Sequence, residues 1–231
     1  MNIIITGAGK GLALELTRLH AQKGDNVFAL AHSITDDLTN IANNYDNVKT
    51  HIIELANENE IKDFLAGLED DSIDMIYNVA GIWYEEQAVG IEETDIDITM
   101  QMYKVNSIAP LCVMKYSKRL LKENAVVVNV SSEAGSIGAC HRDKDYSYCM
   151  SKAALNMASV IFQNETKDKN IKVFCYHPGW LRTQMGGARA KASPESISAE
   201  ESATALLSLV VNKNQPVSSM FFDYKNEEWP W

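Results

Sequence analysis

The chain opens MNIIITGAGKGLA (residues 1–13), and the reading of that stretch decides the fold. Ile3, Ile4 and Ile5 form a short unbroken apolar run, as a strand covered on both faces requires. Gly7, Gly9 and Gly11 follow, leaving the backbone bare enough for a pyrophosphate to approach it closely. Leu12, Leu16 and Leu19 then fall on one stripe of a helix whose N-terminal amides and dipole face the same charge. The spacing is TGxxxGxA from Thr6 rather than GxGxxG, and Ala13 stands at its last position.

Outward from this unit the pattern repeats. Strands are expected near residues 2–6, 26–31, 48–53, 73–77, 125–130, 171–176 and 219–223. Helices are expected near 11–23, 57–68, 93–122 with an interruption, 146–167 and 199–211, and another begins at Asp36. DMIYNV and AVVVNV are again nearly continuous apolar runs. The alternation predicts an α/β fold: one doubly wound parallel sheet, Rossmann-like, of about seven strands with helices on both faces. A chain of 231 residues is long enough for a large core and is read as a single domain, 1–231.

Composition removes several function classes. A formal net charge of −10 argues against nucleic acid or an anionic membrane as the main partner. The apolar fraction is 46%, yet no run reaches the roughly 18 residues of a membrane span. Met1 leads directly into the first strand, so no signal peptide is expected. Cys112, Cys140, Cys149 and Cys175 show neither CxxC nor metal-ligand spacing, which points to reduced thiols in a cytoplasmic protein and to no metal. No repeat, low-complexity run or long linker divides the chain.

The chemistry is concentrated in residues 132–152, where SSEAGSIG is followed by a polar loop and YSYCMSK. Tyr148 and Lys152 lie four residues apart, on one face of a helix and one turn from each other. A cation held there favours the phenolate, bringing a phenol of pKa near 10 toward the range in which it exchanges protons. Ser132 supplies a hydroxyl that can orient a substrate oxygen. YxxxK by itself is common on solvated amphipathic helices; the dinucleotide signature at the other end of the chain gives it weight.

Together these features resemble the short-chain dehydrogenase/reductase family over the whole chain, and most closely its branch of C-factor and sniffer-type carbonyl reductases. TGAGKGLA looks like that family's cofactor turn, placing Gly7, Gly9, Lys10, Gly11 and Leu12 against the dinucleotide. NVAG looks like the motif after its fourth strand, with Asn78, Ala80 and Gly81. KVNS carries its helix asparagine, Asn106, and HPGWLRT supplies Pro178, Gly179 and Thr183 near the carboxamide. The resemblance implies Tyr148 as general acid/base and Lys152 as its modulator and ribose ligand. It further implies that Ser132 binds the substrate oxygen and that Asn106 positions a relay water. Glu54 stands where the family's adenine-binding aspartate is usual, with Leu55 offering its backbone.

The cofactor expected is NADP(H) in preference to NAD(H). The end of the second strand carries Ala31, His32 and Ser33 where an NAD site needs a carboxylate for the ribose diol. Lys10 offers a fixed positive charge to a 2′-phosphate, with His32 as a weaker helper; alternatively Lys10 is a solvent-facing turn lysine. The pocket is expected around Trp83, Tyr84, the loop 138–147 and the small-residue segment 180–197, which has the composition of a closing lid. Trp83, Trp180 and Met185 would make its walls apolar, while His141, Arg142 and Lys144 either meet an anionic substrate group or belong to a solvated loop.

Two function classes follow. The first is an enzyme interconverting an aldehyde or ketone and an alcohol, so that its partner is a small carbonyl or alcohol. The second is a non-catalytic dinucleotide sensor or signalling protein on the same fold, which would be free to lose Tyr148 or Lys152; both are kept. The resemblance implies a homodimer or homotetramer through the helices of Asn106 and Tyr148, where Met100, Met102, Leu111, Met114, Met157 and Ile161 are either apolar surface or core.

Overall fold

The computed structural model describes residues 1–211 and 218–231. Strands β1 (Asn2–Thr6), β2 (Asn26–Ala31), β3 (Val48–Ile52), β4 (Ile73–Asn78), β5 (Leu121–Val130), β6 (Lys172–His177) and β7 (Phe221–Asp223) form one sheet in the order β3-β2-β1-β4-β5-β6-β7. Every neighbouring pair is parallel. The order reverses between β1 and β4, where sheets of this kind open a ligand crevice beyond the carboxyl ends of their strands.

Helices α1 (Gly11–Gln22), α2 (Asp36–Asn44), α3 (Glu58–Ala66), α4 (Ile96–Tyr103), α5 (Ala109–Ser117), α6 (Tyr146–Glu165), α7 (Gly187–Ala192) and α8 (Ala199–Val211) cover the sheet. The strand period of two splits β1 between the layers. Ile3 and Ile5 pack with Leu12 and Leu16 of α1, Leu38 of α2 and Leu206 of α8. Ile4 faces the other way, against Ile61 and Leu65 of α3, Val113 of α5 and Phe162 of α6. Leu16, fully buried, contributes roughly 1.5–3 kcal/mol to this core. The doubly wound sheet expected from the sequence is thus present, with apolar layers on both faces.

The helix expected over 93–122 carries the expected interruption, being divided into α4, a π turn (Lys104–Ile108) and α5, and is corrected at its far end. Pro110 has no N–H to return to the Asn106 carbonyl four residues back, so an α-helical ladder cannot run straight through this point. Beyond α5 the chain leaves the helix early, and β5 begins at Leu121 rather than near 125. Leu120 and Leu121 are wholly buried, and Ser72 and Ile73 donate to the Leu120 carbonyl at 2.8 and 2.9 Å, drawing the chain into the sheet. The segment 180–197, read as a lid, holds the short helix α7, which no sequence pattern announced. Its two ends are tied together: Arg182 donates to Ile197 at 2.9 Å and Ile197 to Trp180 at 3.0 Å.

Candidate active site

The glycine turn sits at the carboxyl end of β1. Gly7 adopts φ +74, and a Cβ there would stand 2.9 Å from the Ala80 backbone, so the turn after β1 and the one after β4 touch where only glycine fits. Thr6 fixes this contact by accepting from Val79 and Ala80 at 3.0 and 3.2 Å. Leu12 and Ala13 are buried under the turn, so the alanine at the last position of the motif packs without a gap. Thr183 lies over Gly11, its methyl 3.4 Å from where a Cβ would be. The Gly9 carbonyl accepts from Thr35 at 2.8 Å.

The other expected dinucleotide residues divide into two groups. His32 and Glu54 meet at the ends of β2 and β3, Nδ1 to Oε2 3.0 Å, both exposed. Leu55 follows them, half-buried. Lys10 is exposed, and its ammonium donates to Gln184 at 2.9 Å across the crevice mouth. Pro178 accepts from Ser202 at 2.8 Å, and Gly179 passes under the Tyr224 ring. Asn78 points inward instead, buried, donating to Asn129 at 2.8 Å; Asn129 donates in turn to Ser159 at 2.8 Å.

The reactive set converges at the ends of β4 and β5. Lys152 is buried and donates to the Val130 carbonyl at 2.8 Å, its Nζ 5.7 Å from the centre of the Tyr148 ring. A Cβ on Gly81 would stand 3.6 Å from the same Nζ and 3.3 Å from Asn106 Oδ1, which brings three expected residues to one point. The Asn106 carboxamide is wholly buried and grips the chain at Ile82, accepting from its N–H at 2.8 Å and donating to its carbonyl at 2.9 Å. It also donates to Ser151 at 3.1 Å, so this side chain is committed to positioning the 78–82 turn.

Residues that sequence reading passed over hold Ser132 against the helix. Gly135 lies so close to α6 that a Cβ would meet the Lys152 carbonyl carbon at 2.8 Å. Asn156, one turn beyond Lys152, donates to Gly135 at 3.1 Å and accepts from Ser131 at 2.6 Å. The i, i+4 signal that located Tyr148 and Lys152 continues to 156 and could have found it. Glu133 had no such signal. Its carboxylate accepts the Ser132 hydroxyl and the Ala134 N–H, and pairs with Arg142. Arg142 also reaches buried Asp145 at 3.3 Å, and Asp145 accepts from the Trp83 indole at 3.3 Å.

These charges act on the acid/base pair. Burial draws the Lys152 ammonium down to about 8. Burial, with the charges of Glu133 and Asp145, pushes the Tyr148 phenol above the ordinary range, while Ser132 and Arg142 pull the other way. The lowering expected from Lys152 therefore does not dominate: the ammonium rests on Val130, and desolvation outweighs it. Above Tyr148 opens a cavity of about 270 Å³ whose walls include Trp83, Trp180, Met185, Arg142 and Arg189. Three of the four expected aromatic and methionine wall residues are there; Tyr84 is not, nor are His141 and Lys144 of the loop. Arg142 is present but spent on carboxylates of the protein itself.

A doubly wound sheet with a glycine cradle at its crevice and a tyrosine, lysine and serine beside it defines a dinucleotide-dependent oxidoreductase architecture. The short chain dehydrogenase family matches residues 1–194, and the chain belongs to that family. Within it the likeness is to the C-signal and carbonyl-reductase type. C-signal of Myxococcus xanthus is 32% identical over 161 residues, 69% of this chain and 93% of that protein. The carbonyl reductase of Pseudomonas aeruginosa PAO1 in complex with NADP superposes with a TM-score of 0.83 at 29% identity, covering 100% of this chain and 99% of the other. The carbonyl reductase Sniffer of D. melanogaster shares the fold at a TM-score of 0.88 and 24% identity, covering 100% and 99% of the two chains. Among the described residues no helix is long and apolar enough to cross a membrane.

Proposed function

We propose that this protein interconverts an aldehyde or ketone and an alcohol with NADP(H), used in preference to NAD(H), and that Tyr148 is the general acid/base. The observation that carries the reading is that Tyr148, with Lys152 one helical turn away and its Nζ 5.7 Å from the ring centre, faces a cavity walled by Trp83, Trp180 and Met185 together with the charged Glu85, Arg142, Asp145 and Arg189. The residues fit a dinucleotide. Gly7, Gly9, Lys10, Gly11 and Leu12 would hold its phosphates, His32, Glu54 and Leu55 its adenosine end, and Ala80, Gly81, Pro178, Gly179 and Thr183 the nicotinamide side, while Asn78, turned inward to Asn129, would support the turn rather than touch the cofactor. No carboxylate follows β2 before Asp36 at the start of α2, and Glu54 at the end of β3 is paired with His32, which favours the phosphorylated cofactor. Lys10 would exchange Gln184 for the 2′-phosphate.

When bound, the nicotinamide supplies the hydride. The chain handles the proton: Tyr148 gives it to the oxygen of a carbonyl being reduced or takes it from an alcohol, Ser132 orients that oxygen, and Lys152 holds the ribose. Asn106 keeps the 78–82 turn in place and, by the family resemblance, would position a relay water. NADP carried by the similar Pseudomonas reductase agrees with this reading. We read residues 1–231 as a single domain of a cytoplasmic protein with all four cysteines reduced; each is unpaired in the structure.

The test is titration of the purified protein with NADPH and NADH, then oxidation of bound NADPH against a panel of aldehydes, ketones, diketones and quinones. Tighter NADPH than NADH, with turnover on at least one carbonyl, is the expected result. Binding without turnover across the panel would favour the sensor, and equal loss of both cofactors in Lys10→Ala would remove Lys10 from the 2′-phosphate.

A further inference from the structure

The serine of the site is not free to serve a substrate in the way its hydroxyl alone suggests. Its proton is donated to Glu133, the next residue, whose carboxylate also takes the Ala134 N–H at 2.7 Å and the Arg142 guanidinium. Ser132 in this state accepts the Ala134 N–H at 3.2 Å and has a lone pair, not a hydrogen, left for a further partner. An alcohol or the Tyr148 phenol can donate to it, whereas a carbonyl oxygen has to compete with Glu133 for the proton. Glu133 is half-buried and Ser132 almost wholly so, and Arg142 pairs with both the Glu133 carboxylate and that of Asp145.

We propose that Glu133 is a positioning residue for the acid/base step: it holds the Ser132 proton and sets a negative charge beside Tyr148, with Arg142 as the counter-charge that tunes it. This deepens the carbonyl–alcohol reading and rests on it. The groups facing the pair are Arg142 and Asp145 from the loop before α6, Lys152 and Cys149 on α6, and His177 at the end of β6. Although burial opposes it, the Ser132 hydrogen bond and Arg142 hold the Glu133 carboxyl below its ordinary range, so it is ionised at neutral pH. His177 is held down by its own burial and is neutral there.

A fixed anion next to a phenol disfavours the phenolate. Tyr148 is thereby kept as a proton donor, the form that carbonyl reduction consumes, and oxidation, which needs the phenolate, is confined to higher pH. The equilibrium between the two directions is untouched; the pH profile of each moves with the phenol.

The sign of the effect separates this role from simple damage to the fold. Glu133→Gln keeps an acceptor for Ser132 and removes the charge, so the apparent pKa of both pH profiles is expected to fall, by about 1 unit for a neighbouring charge partly neutralised by its partner. Arg142→Gln leaves Glu133 uncompensated, so the same pKa is expected to rise. Structural loosening would move the two variants in the same direction or leave the pKa fixed. The profiles are measured as kcat/KM for reduction and oxidation in wild type, both variants and Glu133→Asp, which should stay near wild type.

A second readout needs no substrate. With tyrosine labelled at Cζ and NADP+ present, the 13C resonance lost in Tyr148→Phe is followed from about pH 6 to about pH 11. Earlier ionisation in Glu133→Gln and later ionisation in Arg142→Gln supports the proposal; unchanged or same-direction shifts overturn it. If wild type turns over no carbonyl, the function proposed above fails, and the resonance alone still decides what Glu133 does to Tyr148.

Discussion

Tyr148→Phe removes the hydroxyl and keeps the ring at the same position on α6. Tyr148→Phe is therefore expected to lower kcat by at least the roughly 10²–10⁴-fold typical of a general acid/base, with the NADPH dissociation constant nearly unchanged. Retained turnover would take the tyrosine out of the role. Lys152 makes a prediction about stability. Its folded value of about 8 lies below the ordinary lysine value of 10.5, so between them the unfolded chain binds more protons than the folded one. Stability from this group accordingly rises with pH through that window. Below about pH 8 the buried charge costs on the order of 3 kcal/mol, which Lys152→Met does not carry. Urea unfolding at a series of pH values should show the methionine variant the more stable near neutrality and the gap narrowing above pH 8 to 9 or so; parallel curves would mean that Lys152 is not desolvated in solution.

At the scale of elements, the site depends on how tightly the turn after β5 (Glu133–Gly135) is laid on α6. A methyl at Gly135 would meet the Lys152 backbone at 2.8 Å, which cannot yield without moving the helix or the turn, and would press on the Asn156 amide at 3.0 Å. Gly135→Ala is expected to cost about 1–3 kcal/mol of stability as overpacking and to reduce kcat more than it weakens NADPH binding, since Ser132 shifts against Tyr148 while the Gly7 cradle stays put. Calorimetry and a cofactor titration on the same sample check both parts. The carrying motifs of this region, SSEAG and YxxxK, were legible from residue type and helical spacing. The Asn106 clamp and the Glu133–Arg142–Asp145 chain were not, because each joins residues on different elements and leaves no period in the sequence; Asn156 continues the i, i+4 series, but its grip on Gly135 and Ser131 again crosses elements. The same reason explains the misplaced start of β5: apolar Leu120 and Leu121 suit a helix end as well as a strand, and only pairing with residues 72–73 chooses between them.

Over the whole molecule, the faces of α4, α5 and α6 carry a surface the monomer does not use. Met100, Ile108, Leu111, Met157 and Ile161 are exposed there, whereas Met102 and Met114, ambiguous in the sequence, are buried core. We infer a homodimer or homotetramer through this face, because exposed large apolar side chains gathered on helices that touch one another favour association. Sedimentation is expected to show the oligomer for wild type and a shift to monomer for Met157→Asp, 62% exposed in the single chain, with unchanged circular dichroism. A monomeric wild type would remove the inference. At the far edge of the site, Gly138 donates to the Trp231 carbonyl at 2.6 Å and Ser136 to that of Pro230 at 2.5 Å, so residues 229–231 brace the loop that follows the serine from the opposite end of the chain. Local spacing alone encodes the strand–glycine turn–helix unit, the parallel α/β order and the placing of Tyr148 one helical turn from Lys152, since turns, periods of two and 3.6, and i, i+4 neighbours are properties of adjacent residues; the roles proposed for that pair and for Ser132 rest on the resemblance of the whole motif set. The tertiary structure alone decided which charges surround the phenol, where Lys10 and Arg142 spend their cations, and which methionines face solvent, because burial and long-range pairing arise only once distant segments share a surface.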